Sequence, residues 1–360
     1  MPTVLFTGFP GFLGSELLPR VLLRAPELTA TCLIQPKFVN QALARKAQLE
    51  ARHPELEGRI LLEAGDLRAP GLGLDATLKR ETVEIYHLAA IYDLSVPREP
   101  AMQVNVEGTR HLLDWAEGCP GLSRMHYVST CYVSGRHDGH FRETDLDVGQ
   151  AFNNFYEETK FLAEVEVQRR MQGGLPATVY RPAIVVGDSR TGATQKYDGP
   201  YFLIRWILRQ KGLALVPVVA DPRRIRLNVV PRDFVIEAIA HLSGRPETVG
   251  GIYQLADPNA LSVDALLRAL ERATGRKILR VPLDPGLAKK AIDRVPGLYR
   301  LMEIPSAAVD YFAHPTHYDT TQVQAALHGS GLAVPPLSSY LARLVRFVQG
   351  NEAIGSEAMA

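Results

Sequence analysis

The chain has 360 residues, 46% of them hydrophobic and 22% charged, with a net charge of +1. That balance belongs to a globular protein with a sizeable core, and it gives no reason to expect nucleic acid or an anionic membrane as partner. No apolar run approaches the roughly 18 residues that span a bilayer, and no basic-then-apolar leader precedes the first strand. Cys32, Cys119 and Cys131 form neither a CxxC pair nor a metal-like spacing, so no metal site and a reducing, cytoplasmic setting are expected.

In chain order, Val4-Leu5-Phe6-Thr7 reads as a short buried strand. Gly8, Gly11 and Gly14 follow at a constant spacing, and Leu13 to Arg24 reads as a helix. A strand, a glycine turn and a helix form a cradle for a pyrophosphate. The free N–H groups and positive dipole end of the helix attract the anion, and glycine lets the backbone come close. Ala30 to Gln35 reads as the second strand. An acidic residue after it would hold a ribose 2′-hydroxyl and select NAD, but no Asp or Glu occurs between Glu27 and Glu50. Lys37, Arg45 and Lys46 stand there instead, either as partners for the 2′-phosphate of NADP or as solvated charges. NADP is the favoured cofactor, with NAD as the alternative.

Ile60 to Ala64 is a third strand ending in Gly65-Asp66-Leu67, and Val83 to Leu88 a fourth ending in Leu88-Ala89-Ala90. Asn105 opens a helix running to about Gly118, and Met125 to Ser129 is a fifth strand leading into Thr130. Strands alternating with helices at this rhythm imply βαβ units and a doubly wound, Rossmann-type parallel sheet of the α/β class. Ligands of such sheets bind beyond the carboxyl ends of the strands.

Phe152 to about Met171 has helical periodicity and carries Tyr156 and Lys160 one turn apart, on one face. A phenol beside an ammonium can exchange a proton with a carbonyl being reduced, the cation lowering the phenol pKa. Ala177 to Pro182 is a sixth strand, followed by Ala183 and Ile184.

With these pieces in order, the chain resembles the extended short-chain dehydrogenase/reductase superfamily. The matching pieces are Thr7-Gly8-Phe9-Pro10-Gly11-Phe12-Leu13-Gly14, Gly65-Asp66-Leu67, His87-Leu88-Ala89-Ala90, Asn105-Val106-Glu107-Gly108-Thr109, Val128-Ser129-Thr130, Tyr156 to Lys160 and Arg181-Pro182. Val230-Pro231-Arg232-Asp233-Phe234-Val235 continues the match where the chain returns to the sheet. The glycine turn, Val128 to Gly135 and Gly187-Asp188-Ser189-Arg190-Thr191-Gly192 are closest to the fatty acyl-CoA reductases and the thioester reductase domains of carboxylic acid reductases and peptide synthetases. One departure is Gln35 before Pro36, where many members have an arginine for the 2′-phosphate; Lys37 can substitute.

The resemblance implies catalytic roles for Tyr156 as proton donor, Lys160 on the nicotinamide ribose and Thr130 on the substrate oxygen. Asn105 would hold the active-site helix or a relay water. Thr7 to Gly14, Lys37, Asp66, Leu67, Leu88, Ala89, Ala90, Asn105, Ser129, Tyr156, Lys160, Arg181, Pro182, Ala183 and Ile184 would contact the cofactor. Tyr92, Thr130, Tyr197 and Phe202 are the candidate substrate contacts. It also implies homodimer contacts through the helices before Gly118 and around Tyr156. Peripheral membrane contact would suit a lipid substrate.

The expected domains are a cofactor-binding unit over 1–190 with a return segment at about 228–258, a smaller, mainly helical substrate lobe over 191–227 and 259–349, and a frayed tail from Gly350. Tyr201 to Gln210, Leu261 to Thr274 (with Ser262 as N-cap) and Pro336 to Val348 read as lobe helices. Pro282, Pro285, Pro296, Pro305 and Pro315 break the intervening chain. Arg223, Arg224 and Arg226 could meet the phosphates of coenzyme A or a carrier-bound pantetheine, or form a solvated loop. His314 and His317 lack neighbouring metal ligands. The expected function is NADPH-dependent reduction of an acyl thioester, on coenzyme A or a carrier protein, to an aldehyde. The alternatives are a dehydrogenase, reductase or epimerase acting on a ketone or alcohol, and an NADP-binding regulator without turnover.

Overall fold

The computed structural model describes residues 1–219, 221–284, 286, 290 and 306–355. Its centre is a seven-stranded, wholly parallel sheet built from β1 (Thr3–Thr7), β2 (Thr29–Ile34), β3 (Ile60–Ala64), β4 (Thr82–His87), β5 (Arg124–Val128), β7 (Ala177–Pro182) and β11 (Ile252–Leu255), in the order β11-β7-β5-β4-β1-β2-β3. Every residue of β1 is buried, because helices cover both faces of a parallel sheet. On one face lie α1 (Gly14–Arg24) and α2 (Val39–Arg52). On the other lie α5 (Gly108–Glu117) and α6 (Phe155–Gln172), which follow the short helices α3 (Leu78–Glu81) and α4 (Arg98–Ala101). Burying each large apolar side chain contributes on the order of 1.5–3 kcal/mol. Leu17, Leu18, Val21 and Leu22 of α1 are almost wholly buried in this way. The expected doubly wound α/β sheet is therefore present, and the strand order reverses between β1 and β4, where a crevice opens.

Two helix boundaries differ from the sequence expectation. The segment before Gly118 is helical from Arg98 and contains a π turn over Met102–Glu107. The catalytic-type helix begins at Phe155 rather than Phe152, because Asn154 caps it: its side chain accepts the Glu157 N–H at 3.0 Å. Glu157 reaches back to the Asn153 N–H at 2.8 Å, a variant of the capping box.

The remaining chain forms α7 (Pro200–Arg209), α8 (Arg232–Ser243), α9 (Val263–Thr274), a helix at Thr321–Leu327 and another at Leu337–Gly350. Three two-stranded parallel pairs accompany them: β6 (Gly139–Phe141) with β13 (Thr316–Tyr318), β8 (Ile184–Val186) with β10 (Val229–Pro231), and β9 (Leu213–Val218) with β12 (Lys277–Pro282). Ser262 caps α9 as expected, accepting the Ala265 N–H at 3.2 Å.

The lobe has its own core, in which Tyr201, Ile204 and Ile207 of α7 meet Leu266 and Leu270 of α9 and Leu341 and Leu344 of the last long helix. The Thr321–Leu327 helix packs instead on the main core, through Val323 and Leu327. Buried Glu143 ties it there by accepting the N–H groups of Gln254 (2.9 Å) and Val323 (3.1 Å). Beyond Gly350 the chain still packs: the Gly355 carbonyl accepts the Tyr197 N–H at 2.9 Å. Residues 356–360, Ala220, Pro285, Pro296 and Pro305 lie outside the described residues.

Candidate active site

A cleft of about 870 Å³ follows the carboxyl ends of the sheet strands and runs on between the sheet and the lobe. One end is the glycine turn. Gly8 has a φ of +88°, and a Cβ there would lie 2.8 Å from the Ala89 nitrogen. A Cβ on Gly11 would lie 2.7 Å from the Gly8 carbonyl oxygen, and one on Gly14 only 2.4 Å. The turn therefore folds on itself too tightly for any side chain, leaving bare backbone at the start of α1. This is the cradle a pyrophosphate needs, so the residues present fit a dinucleotide.

Thr7 to Gly14 all line the cleft, as do Lys37, Leu67, Leu88, Ala89, Ala90, Ser129, Pro182, Ala183 and Ile184. Tyr92, Thr130, Tyr156, Lys160 and Phe202 line it too.

Four expected contacts stand elsewhere. Arg181 is wholly buried and turned away from the cleft. Its guanidinium pairs with Glu164 at 2.6 Å and donates to the carbonyls of Glu143 (3.1 Å) and Asp145 (2.8 Å). Tyr197 is also wholly buried, its hydroxyl donating to the Asn351 carbonyl at 2.9 Å, so it supports the lobe and does not touch substrate space. The Asp66 carboxylate is held by Arg68 at 2.6 Å, which depresses its pKa, and it is Arg68 that joins the cleft wall. Asn105 lies one layer down. It accepts the Ile91 N–H (2.8 Å) and donates to the Ile91 carbonyl and the Thr159 hydroxyl (3.0 Å each). Its amide ties the loop after β4 to α6, from within the π turn over Met102–Glu107.

At the adenine end, Gln35, Lys37, Phe38 and Arg68 form the wall, with the Lys37 ammonium 4.8 Å from the Phe38 ring centroid. Arg45 and Lys46 take carboxylate partners instead, Glu16 at 3.9 Å and Glu50 at 3.8 Å. Arg68 follows Gly65-Asp66-Leu67 directly, and its place after the third strand was the signal that could have found it.

At the other end, Thr130 and Tyr156 both line the cleft, the Thr130 hydroxyl donating to the Pro182 carbonyl at 3.4 Å and accepting the Tyr132 N–H at 3.2 Å. Burial pushes the Tyr156 phenol up to about 12, outweighing the lowering by the Thr130 hydroxyl. Desolvation, and not the lowering expected from Lys160, governs the phenol, and Tyr156 holds its proton at neutral pH, the state a proton donor requires. Burial also brings the Lys160 ammonium down to about 7, with Glu164 opposing the shift. Lys160 donates to the Tyr127 hydroxyl at 3.0 Å and the Val128 carbonyl at 2.9 Å. The Ser129 hydroxyl donates to Glu164 and so points away from the cleft.

The substrate end also contains residues that sequence reasoning missed. Tyr132 packs edge-on to Tyr311 with centroids 4.6 Å apart, and Tyr311 accepts from the Asn154 side chain at 3.1 Å. Lys196 pairs with Asp198 and lies 4.0 Å from the Tyr92 ring centroid. Phe312 and Leu227 complete this wall. Leu227 follows the Arg223–Arg226 loop, in which Arg226 donates to the Ala260 carbonyl at 2.7 Å. His314 is buried against Tyr132 and bonds the Tyr318 hydroxyl at 2.9 Å. No group of three or more His, Cys, Asp or Glu placed to hold a metal occurs among the described residues. Among them, too, no helix is long and apolar enough to cross a membrane.

A glycine cradle at the β1/β4 switch point, with a Thr–Tyr–Lys set across the same cleft, defines the class: an NAD(P)-binding oxidoreductase fold of the extended short-chain dehydrogenase/reductase type. Residues 6–239 match the model of the family described as male sterility protein, and the chain belongs to that family. Over 98% of its length it superposes on the terminal R domain of the myxalamid PKS-NRPS biosynthetic pathway, with a TM-score of 0.83, 28% identity and 91% of that chain covered. It is 31% identical to a linear gramicidin synthase protein of Brevibacillus parabrevis over 78% of this chain and 6% of that protein. It is 27% identical to the aldehyde reductase lnaA of Aspergillus flavus over 98% of this chain and 37% of that protein. The chain thus spans well under half the length of these two curated relatives.

Proposed function

We propose that this protein reduces the carbonyl of an acyl thioester, carried on coenzyme A or on a carrier protein, to the aldehyde at the expense of NADPH. The observation that carries this reading is that Thr130, Tyr156 and Lys160 line the same cleft as the glycine cradle, with Tyr156 still protonated at neutral pH. NADPH is preferred to NADH because Gln35, not an acid, ends the second strand segment, and Lys37 and Arg68 line that end of the cleft.

The bound nicotinamide supplies a hydride to the carbonyl carbon. Negative charge then grows on the carbonyl oxygen, where Thr130 and Tyr156 each offer a hydrogen bond, an effect commonly worth about 3 kcal/mol per donor. Tyr156 passes its proton to that oxygen, giving a hemithioacetal. Its carbon–sulfur bond breaks as the hydroxyl loses its proton, and the sulfur leaves as thiolate and is protonated to free thiol. Lys160, with two N–H groups committed to Tyr127 and Val128, keeps one directed at the cleft to stabilise the phenolate until Tyr156 is reprotonated.

The test follows NADPH oxidation with a series of acyl-CoA thioesters while free thiol is titrated with a disulfide reagent. One thiol per NADPH is expected. NADPH oxidation without thiol release overturns the thioester reading in favour of a ketone or alcohol substrate. An NADH rate equal to the NADPH rate overturns the cofactor preference.

A further inference from the structure

We infer that Tyr127, on β5 beneath the cleft, is the positioning residue that sets the direction of the Lys160 ammonium. The geometry stands by itself, and its consequence for turnover rests on the reductase reading above.

Tyr127 is wholly buried and reaches neither substrate nor cofactor space. Its hydroxyl accepts from the Lys160 ammonium at 3.0 Å, and the ammonium lies 4.4 Å from its ring centroid. Of the neighbouring hydroxyls, Thr109 donates to the Asn105 carbonyl at 2.6 Å and Ser129 donates to Glu164.

The same bookkeeping fixes His87. Burial brings its pKa down to about 3, so the ring is neutral, with one donor and one acceptor nitrogen. Thr109 has already committed its proton, so His87 Nε2 carries the hydrogen and donates to Thr109 at 3.0 Å. Nδ1 then accepts from Thr7 at 2.8 Å. The Thr7 oxygen in turn accepts the N–H groups of Leu88 (3.2 Å) and Ala89 (3.3 Å), which border the glycine turn. The Lys160 ammonium therefore cannot rotate without breaking its buried bonds to the Tyr127 hydroxyl and the Val128 carbonyl.

The groups acting on Lys160 are Tyr127 on β5, His87 on β4, and Tyr156 and Glu164 on its own helix. Glu164 favours the ammonium and His87 is neutral, which leaves the Tyr127 oxygen as the side-chain acceptor that keeps the buried ammonium charged. Replacing it by Phe keeps the ring and removes that acceptor.

The experiment measures the rate at which trinitrobenzenesulfonate modifies Lys160 between pH 5.5 and 10, by peptide mass spectrometry on the full chain. The unmodified chain should show a midpoint near 7. Tyr127→Phe should lower it by about 1–2 pH units, raising the rate at pH 6 by ~5–10-fold, the size of one hydrogen bond to a charged group. Tyr180→Phe removes a buried hydroxyl from the next strand, where it bonds His126 at 3.1 Å, and should leave the midpoint unchanged. A Tyr127→Phe midpoint equal to that of the native chain overturns the inference; should that variant not fold, an unshifted Tyr127→Leu midpoint does so. A shifted midpoint in a chain that releases no thiol from any acyl-CoA would instead leave this inference standing and remove the thioester reading.

Discussion

The two ends of the cleft are built from different materials. At the dinucleotide end the wall is mostly backbone: Gly8, Gly11 and Gly14 sit where a single added carbon would lie 2.4–2.8 Å from a main-chain atom. At the substrate end the wall is side chains, with Tyr92, Tyr132, Lys196, Phe202, Tyr311 and Phe312 delivered from widely separated stretches of chain. A backbone site is fixed by the fold and tolerates almost no substitution. A side-chain site can be rewritten residue by residue while the sheet beneath it stays the same.

That contrast can be broken by separating chemistry from binding. Tyr156→Phe should lower kcat by roughly 10²–10⁴-fold, while NADPH affinity, read by fluorescence titration, stays within about twofold. A comparable loss of NADPH affinity would show that the two ends are not independent. Gly14→Ala should do the reverse, because its Cβ would meet the Gly8 carbonyl oxygen at 2.4 Å. NADPH binding should weaken by ~10-fold or more and unfolding free energy fall by about 1–3 kcal/mol, as overpacking costs elsewhere. Unchanged denaturant unfolding and NADPH binding would mean that the turn relaxes and is not set by backbone crowding.

The floor common to both ends should show a pH effect. His87 binds its proton in the unfolded chain near 6.5 but in the folded one only near 3. Between those values the unfolded state holds more protons, so stability falls as pH drops from 6.5 toward 3, by up to ~1.4 kcal/mol per pH unit for this group. Buried His126, lowered to about 4, acts with the same sign. His87→Gln should flatten the decline in thermal midpoint over that window, relative to the native chain. Parallel declines would place the acid sensitivity elsewhere.

The dinucleotide end was largely legible in the sequence for the same reason that it is rigid: glycines at fixed spacing after a buried strand leave few conformations. Six of the seven main strands fell within a residue of their expected places; β11 was not read as a strand, and the segment at Val230-Pro231, expected to return to the sheet, pairs with β8 instead. The start of α6 was missed because the helical apolar pattern extends past the cap, although Asn154 and Glu157 were there to mark it. Arg181 was misplaced because its neighbour Pro182 does face the cleft. A charge inside a continuously buried parallel strand requires a buried counter-charge, and Glu164 on the covering helix supplies it. Tyr197 lies in a turn, where no period says which way a side chain points. Tyr132, Tyr311 and Phe312 escaped because tertiary packing alone brings those stretches together.

The Arg181–Glu164 pair also sets how this scaffold can be recombined. Both side chains are fully buried, and the guanidinium spans from α6 to the carbonyls of Glu143 and Asp145. A chimera that takes β7 from one parent and α6 from another inherits a buried charge without its counter-ion, at a cost of several kcal/mol. Crossovers that keep residues 143–181 from one parent avoid that cost. The stretches at 196–202 and 311–312 lie outside that block, so the substrate wall they supply can be exchanged while the buried pair travels intact.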